Sequence, residues 1–178
     1  FLGGFLAVSW TDCIQGALMF FAILAVPITA AMYLGGPIET IQLIHSEFPQ
    51  GLNLWGDTSD MFALVIGIIS SLGWGLGYFG QPHILVRFMA ISDAKELKKS
   101  TNIAMVWVIL SLLAAIFVGL IGHVYMLPEK LVGTDAETIF LVMTERLFTP
   151  FMAGLIWSAV LAAIMSTASA QLLVTASA

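Results

Sequence analysis

Charged residues are scarce in this sequence. They make up 10% of its 178 residues, whereas hydrophobic residues make up 60%, and an ordinary soluble domain carries about 25% charged residues. A soluble domain of this length could not bury so much apolar surface in one core. The composition therefore predicts a membrane protein whose apolar exterior is covered by the lipid bilayer.

Basic residues are especially few. The six are Arg87, Lys95, Lys98, Lys99, Lys130 and Arg146, and the formal net charge is −5. So few positive charges cannot form the basic, aromatic-interleaved surface that binds a phosphate backbone. We therefore expect no nucleic-acid partner.

Cysteine and catalytic motifs are nearly absent. Cys13 is the one cysteine, and its place near the start of an apolar run favours a small buried residue over a reactive or metal-binding thiol. There is no H-E-x-x-H motif, and the acidic residues within the apolar runs are too few for a catalytic pair. Asp12 stands alone at the edge of one run, where helix capping is the ordinary role. We expect neither an enzyme nor an organic cofactor.

Neither end of the sequence has the features of a protein terminus. Phe1 is not an initiator methionine, and Ala178 closes the chain within an apolar run. The start also lacks the charged segment and cleavage site of a signal peptide. We therefore expect residues 1–178 to be part of a longer membrane domain, with further helices before and after them.

Four segments are apolar and long enough to cross a bilayer, which takes about 20 residues. They run from about 10 to 34, 61 to 88, 103 to 127 and 150 to 178. Such long apolar runs are not typical of half-buried strands. The sequence therefore predicts an all-α membrane protein with four transmembrane helices.

The three connections between these spans differ in charge. Residues 35–60 contain four acidic and no basic residues, residues 87–101 hold four of the six basic ones, and residues 128–149 contain two basic and four acidic ones. The positive-inside rule places 87–101 in the cytoplasm, and the other two connections outside. Phe1 then lies on the cytoplasmic side of the inner cell membrane.

Both outer connections contain helix signals. Residues 37–44 have the pattern of a short amphipathic helix with proline in its first turn. Thr134 and Glu137 form a capping box ahead of apolar positions, which predicts a surface helix from about Asp135 to Phe148. Each helix is either a lid on the outer face or a plain interfacial helix that seals a loop.

A glycine-rich stretch interrupts the second span. Residues 73–83 are GWGLGYFGQPH, and in a helix interior Gly costs about 1 kcal/mol and Pro about 3 kcal/mol relative to Ala. Because a backbone group freed in lipid must find another partner, such a run is expected where the backbone faces protein, a ligand or a wet cavity. Its match to G-x-G-x-x-G does not indicate a dinucleotide site, because a membrane-length run precedes it.

Two interpretations of this stretch remain open. The first is an opened binding segment around Gly77, as in the discontinuous helices of many transporters. Its aromatic side chains would then wall a pocket for a small zwitterion: Trp74, Tyr78 and Phe79. The second is a glycine face for close helix packing. Packing does not account for residues 81–83, which favours the binding segment.

The last span carries hydroxyl groups on one helical face. Ala163, Ser166 and Thr167 lie at helical spacing on it. Two hydroxyls and the Ala163 carbonyl would supply about half of the oxygens of a sodium site, and another helix would supply the rest. Serine and threonine in membrane helices also commonly bond to their own backbone, so the pattern alone leaves both roles open.

Three stretches resemble the solute:sodium symporter family, in particular its proline-transporting members. They are residues 9–12, 73–89 and 161–167, and the likeness extends over the whole chain. The resemblance implies the leucine-transporter fold, with two inverted five-helix repeats and with substrate and sodium near the midplane. This chain would supply the last helix of the first repeat and the first three of the second, with its second span discontinuous.

The resemblance also implies site residues. Sodium in the family is bound at positions that match Ala163, Ser166 and Thr167. The proline pocket is lined at positions that match Trp74, Tyr78 and Pro82, and Phe79 adjoins them. The first broken helix of the family, which completes both sites, would lie outside this chain.

The function that these residues imply is sodium-coupled symport of L-proline into the cell. Sodium would be the coupling ion, and no other cofactor is expected. Other solutes and proton coupling stay open, because members of the family differ in both. A transporter-like sensor domain of a histidine kinase is the alternative.

Overall fold

The structure, a computed structural model, describes residues 4–53, 61–78, 80–91, 93–127 and 133–177. Within these ranges every regular element is helical, and no strand occurs. The α-helices are α1 (Gly4–Tyr33), α2 (Pro37–Glu47), α3 (Met61–Tyr78), α4 (Pro82–Met89), α5 (Ala94–Tyr125), α6 (Ile139–Leu147) and α7 (Pro150–Ser177). Short 3₁₀ segments, Pro49–Leu52 and Gly133–Thr138, follow α2 and precede α6.

Four of these helices are long and apolar enough to cross a membrane: α1, α3, α5 and α7. Two of them begin earlier than the apolar runs alone predict, α1 at Gly4 and α5 at Ala94. Much of the predicted loop 87–101 is therefore helical. Asp93 explains the early start of α5, because its carboxylate accepts a hydrogen bond of 2.9 Å from the Lys95 amide and so caps the first turn.

The second span is discontinuous, as the sequence predicts, and it breaks at the end of the glycine-rich stretch, where Gly80 lies between the two helices. Helix α3 stays helical through its glycines to Tyr78, and α4 begins at Pro82. The Gln81 amide donates to the Tyr78 carbonyl over 3.4 Å, which makes one tight turn between the helices. The predicted opening therefore lies within residues 73–83 but after Gly77, which is itself helical. A continuous helix keeps backbone groups paired in lipid, whereas Pro82 has no N–H with which to continue the ladder.

The core lies where α1, α2, α5, α6 and α7 meet. Its members are mostly small or β-branched: Ala22, Val26, Ala30, Ile44, Val118, Ile121, Val124, Met143, Ile156 and Ala159. Small residues allow membrane helices to approach closely. One close approach is at Gly122 of α5, where a Cβ atom would lie 2.6 Å from Ile139 Cδ1 and 2.8 Å from Met143 Sδ. Helix α6 therefore packs directly against bare backbone.

The predicted helix after Pro37 is confirmed, and it runs on to Glu47 as α2. Gly35 and Gly36 turn the chain into it with φ angles of 104° and 118°, a region that favours glycine. The buried Thr40 hydroxyl lies within hydrogen-bond distance of two carbonyl oxygens, 2.7 Å from that of Gly36 and 3.2 Å from that of Ala31. These bonds hold the first turn of α2 against the end of α1.

The helix predicted between the third and fourth spans begins as a 3₁₀ helix. Residues 133–138 form a 3₁₀ turn, and α6 begins at Ile139 instead of near Asp135. Thr138 precedes α6 without capping it through its side chain, because its hydroxyl donates to the Asp135 carbonyl at 2.7 Å. The predicted surface helix from about Asp135 to Phe148 is therefore present, with a 3₁₀ first segment and an α-helical remainder. Helix α6 ends at Leu147, shortly before Pro150.

Candidate functional site

The predicted sodium residues lie on one uninterrupted stretch of α7. Thr167 is exposed, and its hydroxyl donates to the Ala163 carbonyl over 3.2 Å, so these two residues are bonded to each other. Ser166 is partly buried and donates to a different group, the Asp12 carboxylate, through Oδ1 at 2.7 Å. The two neighbouring hydroxyls therefore have different partners.

Asp12 is the acidic residue at the centre of this region. It lies inside α1 and not at its edge, so the predicted capping role is wrong. Its Oδ2 forms an ion pair with Nη2 of Arg87 from α4, while its Oδ1 accepts from Ser166. The Asp12 side chain is 12% exposed and that of Arg87 is 52% exposed. One carboxylate thus joins α1, α4 and α7.

Sequence reasoning missed this contact. The partners of Asp12 lie 75 and 154 residues further along the chain, so no local pattern connects them. The presence of Asp12 alone could have predicted a contact, because an ionisable group inside an apolar span requires a partner. Arg87 is the basic residue at the end of the second span.

A cleft of about 980 Å³ opens beside this cluster. Asp12, Arg87 and Ser166 line it together with Cys13 and Ser100. Cys13 is exposed among the described residues, so the prediction of a buried apolar thiol is wrong. Its side chain lines the cleft beside Asp12. The cleft wall therefore contains both an ion pair and neutral polar side chains.

A second, mostly apolar cavity of about 600 Å³ lies further along α1, and Ala163 lines it. Met19, Phe20 and Trp107 line both cavities and so separate them. The rings of Phe20 and Trp107 are stacked, with centroids 6.3 Å apart. Within the predicted sodium site, Ala163 therefore faces one cavity and Ser166 the other.

The predicted substrate residues flank the break between α3 and α4. Tyr78 is the last residue of α3, Pro82 is the first of α4, and the backbone of Trp74 lies one turn before the break. Phe79 lies outside the described residues. Helix α4 packs against α7, whereas the described side chains of α3 are not buried. Arg87 of α4 thus lines the same cleft as Ser166.

The described residues contain no group of three histidine, cysteine or carboxylate side chains that could hold a metal ion. Oxygens available near Ser166 belong instead to hydroxyls, carbonyls and one paired carboxylate. Such a set lacks the several charged oxygens with which proteins hold a divalent metal tightly.

Comparisons with a family model and with curated proteins both point to the same family. The model of the sodium:solute symporter family matches residues 1–178. The high-affinity proline transporter PutP of Bacillus subtilis (strain 168) is 50% identical over 175 residues, which cover 98% of this chain and 36% of that protein. The osmoregulated proline transporter OpuE of the same strain is 49% identical over 176 residues, which cover 99% of this chain and 35% of that protein.

A third relative is sodium/proline symporter 2 of Staphylococcus saprophyticus. It is 46% identical over 177 residues, which cover 99% of this chain and 34% of that protein. The chain spans about a third of the length of the curated relatives it matches. No solved structure matches it. With its whole length matched by the family model, the chain belongs to the sodium:solute symporter family.

Proposed function

We propose that this chain is part of a sodium-coupled secondary symporter that carries L-proline into the cell. The observation that carries the proposal is the identity of 46 to 50%, over at least 98% of the chain, with proteins named as proline transporters or sodium/proline symporters. Because these relatives are named as transporters, we favour transport over a sensor domain of a histidine kinase.

In the whole protein, α1 would end the first of two inverted five-helix repeats, and α3–α4, α5 and α7 would begin the second. The contacts support this order of helices, because the helix ends expected on one side of the membrane lie together. Asp12 near the start of α1 meets Arg87 near the end of α4 and Ser166 in the second half of α7. At the opposite end, the rings of Tyr33 and Tyr125 lie 5.7 Å apart. The positive-inside rule makes the Asp12 end cytoplasmic, in the inner cell membrane.

Sodium would bind at Ala163, Ser166 and Thr167, together with oxygens from a helix elsewhere in the protein. The neutral oxygens of α7 favour a weakly held cation, which suits an ion that must leave on the inner side. Proline would bind at the break that follows Tyr78. Its ring would contact the aromatic residues, and its carboxylate would face the positive end of α4. The pocket residues are Trp74, Tyr78, Phe79 and Pro82.

Transport would follow from linkage between the two ligands. Sodium enters down its gradient, and a membrane potential adds about 2.3 kcal/mol per charge per 100 mV. If sodium favours the conformation that binds proline, each ligand raises the affinity for the other by the same factor. Release on the inner side would follow a rocking of one helix bundle against the other, with the break before Pro82 as one point of bending.

Replacing both hydroxyls of the proposed sodium site tests this function. In the full-length protein, Ser166→Ala with Thr167→Ala should raise the half-saturating sodium concentration for proline uptake about tenfold or more, as expected when metal-site oxygens are lost. Uptake of labelled proline into proteoliposomes measures this. The matched control is Ser158→Ala on the same helix, whose hydroxyl bonds only the Leu155 carbonyl among the contacts described. An unchanged sodium dependence in the double variant would remove the site assignment.

A further inference from the structure

Ser166 differs from the other hydroxyl residues at this level of α7. Thr167 donates to the Ala163 carbonyl over 3.2 Å, and Ser169 donates to the Met165 carbonyl over 2.6 Å. This bonding to the preceding turn is the usual arrangement in membrane helices. Ser166 instead donates across the helix interface to Asp12 Oδ1. Its hydrogen is therefore directed by another helix.

The bond to Asp12 determines where the lone pairs of Ser166 point. A hydroxyl has one hydrogen to donate and two lone pairs to offer. Hydrogen bonds to an ionised acceptor are roughly twice as strong as neutral ones. Asp12 therefore holds the hydrogen of Ser166 on the α1 side, and both lone pairs stay available to a cation.

Arg87 completes the chain of contacts. Its guanidinium pairs with Oδ2 of Asp12, and Oδ1 accepts the hydrogen bond from Ser166. A carboxylate in a membrane-spanning helix is costly unless it is paired, and the guanidinium supplies that pair from the cleft, where it is half exposed. Each oxygen of the Asp12 carboxylate thus has one partner, and the serine is the partner that lies on the proposed ion-binding stretch of α7.

We propose that Asp12 and Arg87 are positioning residues for sodium binding, which orient the Ser166 hydroxyl and are not themselves ligands of the ion. The inference rests on the proposed function. It assigns a role in ion binding to a residue of α4, which lies in the span that carries the substrate residues. Two other arrangements make opposite predictions: Arg87 as a tethered cation that competes with sodium for Asp12, and the ion pair as a purely structural tie.

Single substitutions separate positioning from competition. Arg87→Ala should raise the half-saturating sodium concentration about tenfold, the usual effect of losing a residue that orients a metal ligand, with the maximal uptake rate retained. Arg87→Lys should recover part of the loss. The control is Lys98→Ala, which removes an exposed positive charge from the same basic segment. A sodium affinity that is unchanged or tighter in Arg87→Ala would overturn the proposal.

Substitutions of Asp12 separate positioning from direct ligation. Asp12→Asn keeps an amide oxygen that can accept the Ser166 hydrogen, whereas Asp12→Ala leaves no acceptor. Positioning predicts a smaller loss of sodium affinity for Asp12→Asn than for Asp12→Ala. Equal losses in the two variants would show that the charge of Asp12 is what the ion requires, and would overturn the proposal.

A charge exchange separates positioning from a structural role. Asp12→Arg combined with Arg87→Asp restores an ion pair between α1 and α4, but arginine has no acceptor for the Ser166 hydrogen. The amount of protein in the membrane should recover relative to Asp12→Arg alone, while sodium affinity stays low. Recovery of sodium affinity would show a structural tie and overturn the proposal.

All of these variants are compared with the double alanine variant of Ser166 and Thr167 in full-length protein. If that variant weakens sodium dependence but the Asp12 and Arg87 variants do not, the positioning role fails and the proposed function stands. If the double variant leaves sodium dependence unchanged, the ion site itself fails. In the background of Ser166→Ala, Arg87→Ala should add no further loss, and an additive loss would also overturn the proposal.

Discussion

Replacing Gly122 with leucine is expected to prevent α5 and α6 from packing together. A Cβ atom there would already lie 2.6 Å from Ile139 Cδ1 and 2.8 Å from Met143 Sδ. Met143 is fully buried and cannot move aside without displacing the core. Overpacking a core costs about 1–3 kcal/mol and occasionally more, and the four carbon atoms of leucine require α5 and α6 to separate. The yield of monodisperse, full-length protein after detergent extraction measures the loss.

A matched control and a rescue make this prediction specific. Gly119→Leu places the same side chain about one turn earlier on α5, where a Cβ atom meets nothing within 4 Å among the described residues, and it should be tolerated. Adding Met143→Ala to Gly122→Leu should recover part of the yield, because it removes one of the two clashing side chains. Equal yields for Gly122→Leu and Gly119→Leu would contradict the packing described for α5 and α6.

Removing the aromatic ring of Tyr78 is expected to weaken proline binding strongly. Tyr78 ends α3 at the break, and in the proposed pocket its ring covers the apolar side of the substrate. Loss of such a contact, worth about 1.5–3 kcal/mol, raises KM for proline by roughly ten- to a hundredfold. Proline uptake at saturating sodium measures this effect, and the maximal rate should change less than KM.

Two neighbouring variants check the role of Tyr78. Tyr78→Phe keeps the ring and should retain most of the affinity, unless the hydroxyl itself bonds the substrate. Leu76→Ala is the control, because two residues along a helix correspond to about 200° of rotation, so Leu76 lies on the opposite face of α3. A KM in Tyr78→Ala no higher than in Leu76→Ala would remove Tyr78 from the pocket.

The elements that could be predicted from the sequence are those set by local chemistry. Long apolar runs identify the four candidate spans, and Pro37 marks the start of α2 correctly. Pro82 identifies a broken second span, because proline lacks the N–H that a helix requires. The glycines mislead, since helix propensities measured in water understate how strongly lipid holds a backbone in helical bonds. Helix α3 accordingly continues to Tyr78.

The contacts of the candidate site could be predicted only in part. The hydroxyl face of α7 is visible as a spacing of residues, and so is the solitary acid Asp12. Their pairing is not visible, because it depends on how α1, α4 and α7 pack over separations of 75 and 154 residues. The substrate residues stay a prediction, since about two thirds of each relative lies beyond the matched region.

The bonds of Thr40 give α2 a mechanical property that is open to measurement. This hydroxyl lies within hydrogen-bond distance of the Gly36 carbonyl before α2 and of the Ala31 carbonyl in α1. Because the contact with Ala31 links the two helices, we expect α2 to move together with the last turn of α1. A tilt of α1 by a few degrees therefore sweeps the far end of α2 through an arc. A fluorophore attached at the exposed position of Glu47 would therefore report a change in the tilt of α1 when sodium and proline are added to the full-length protein.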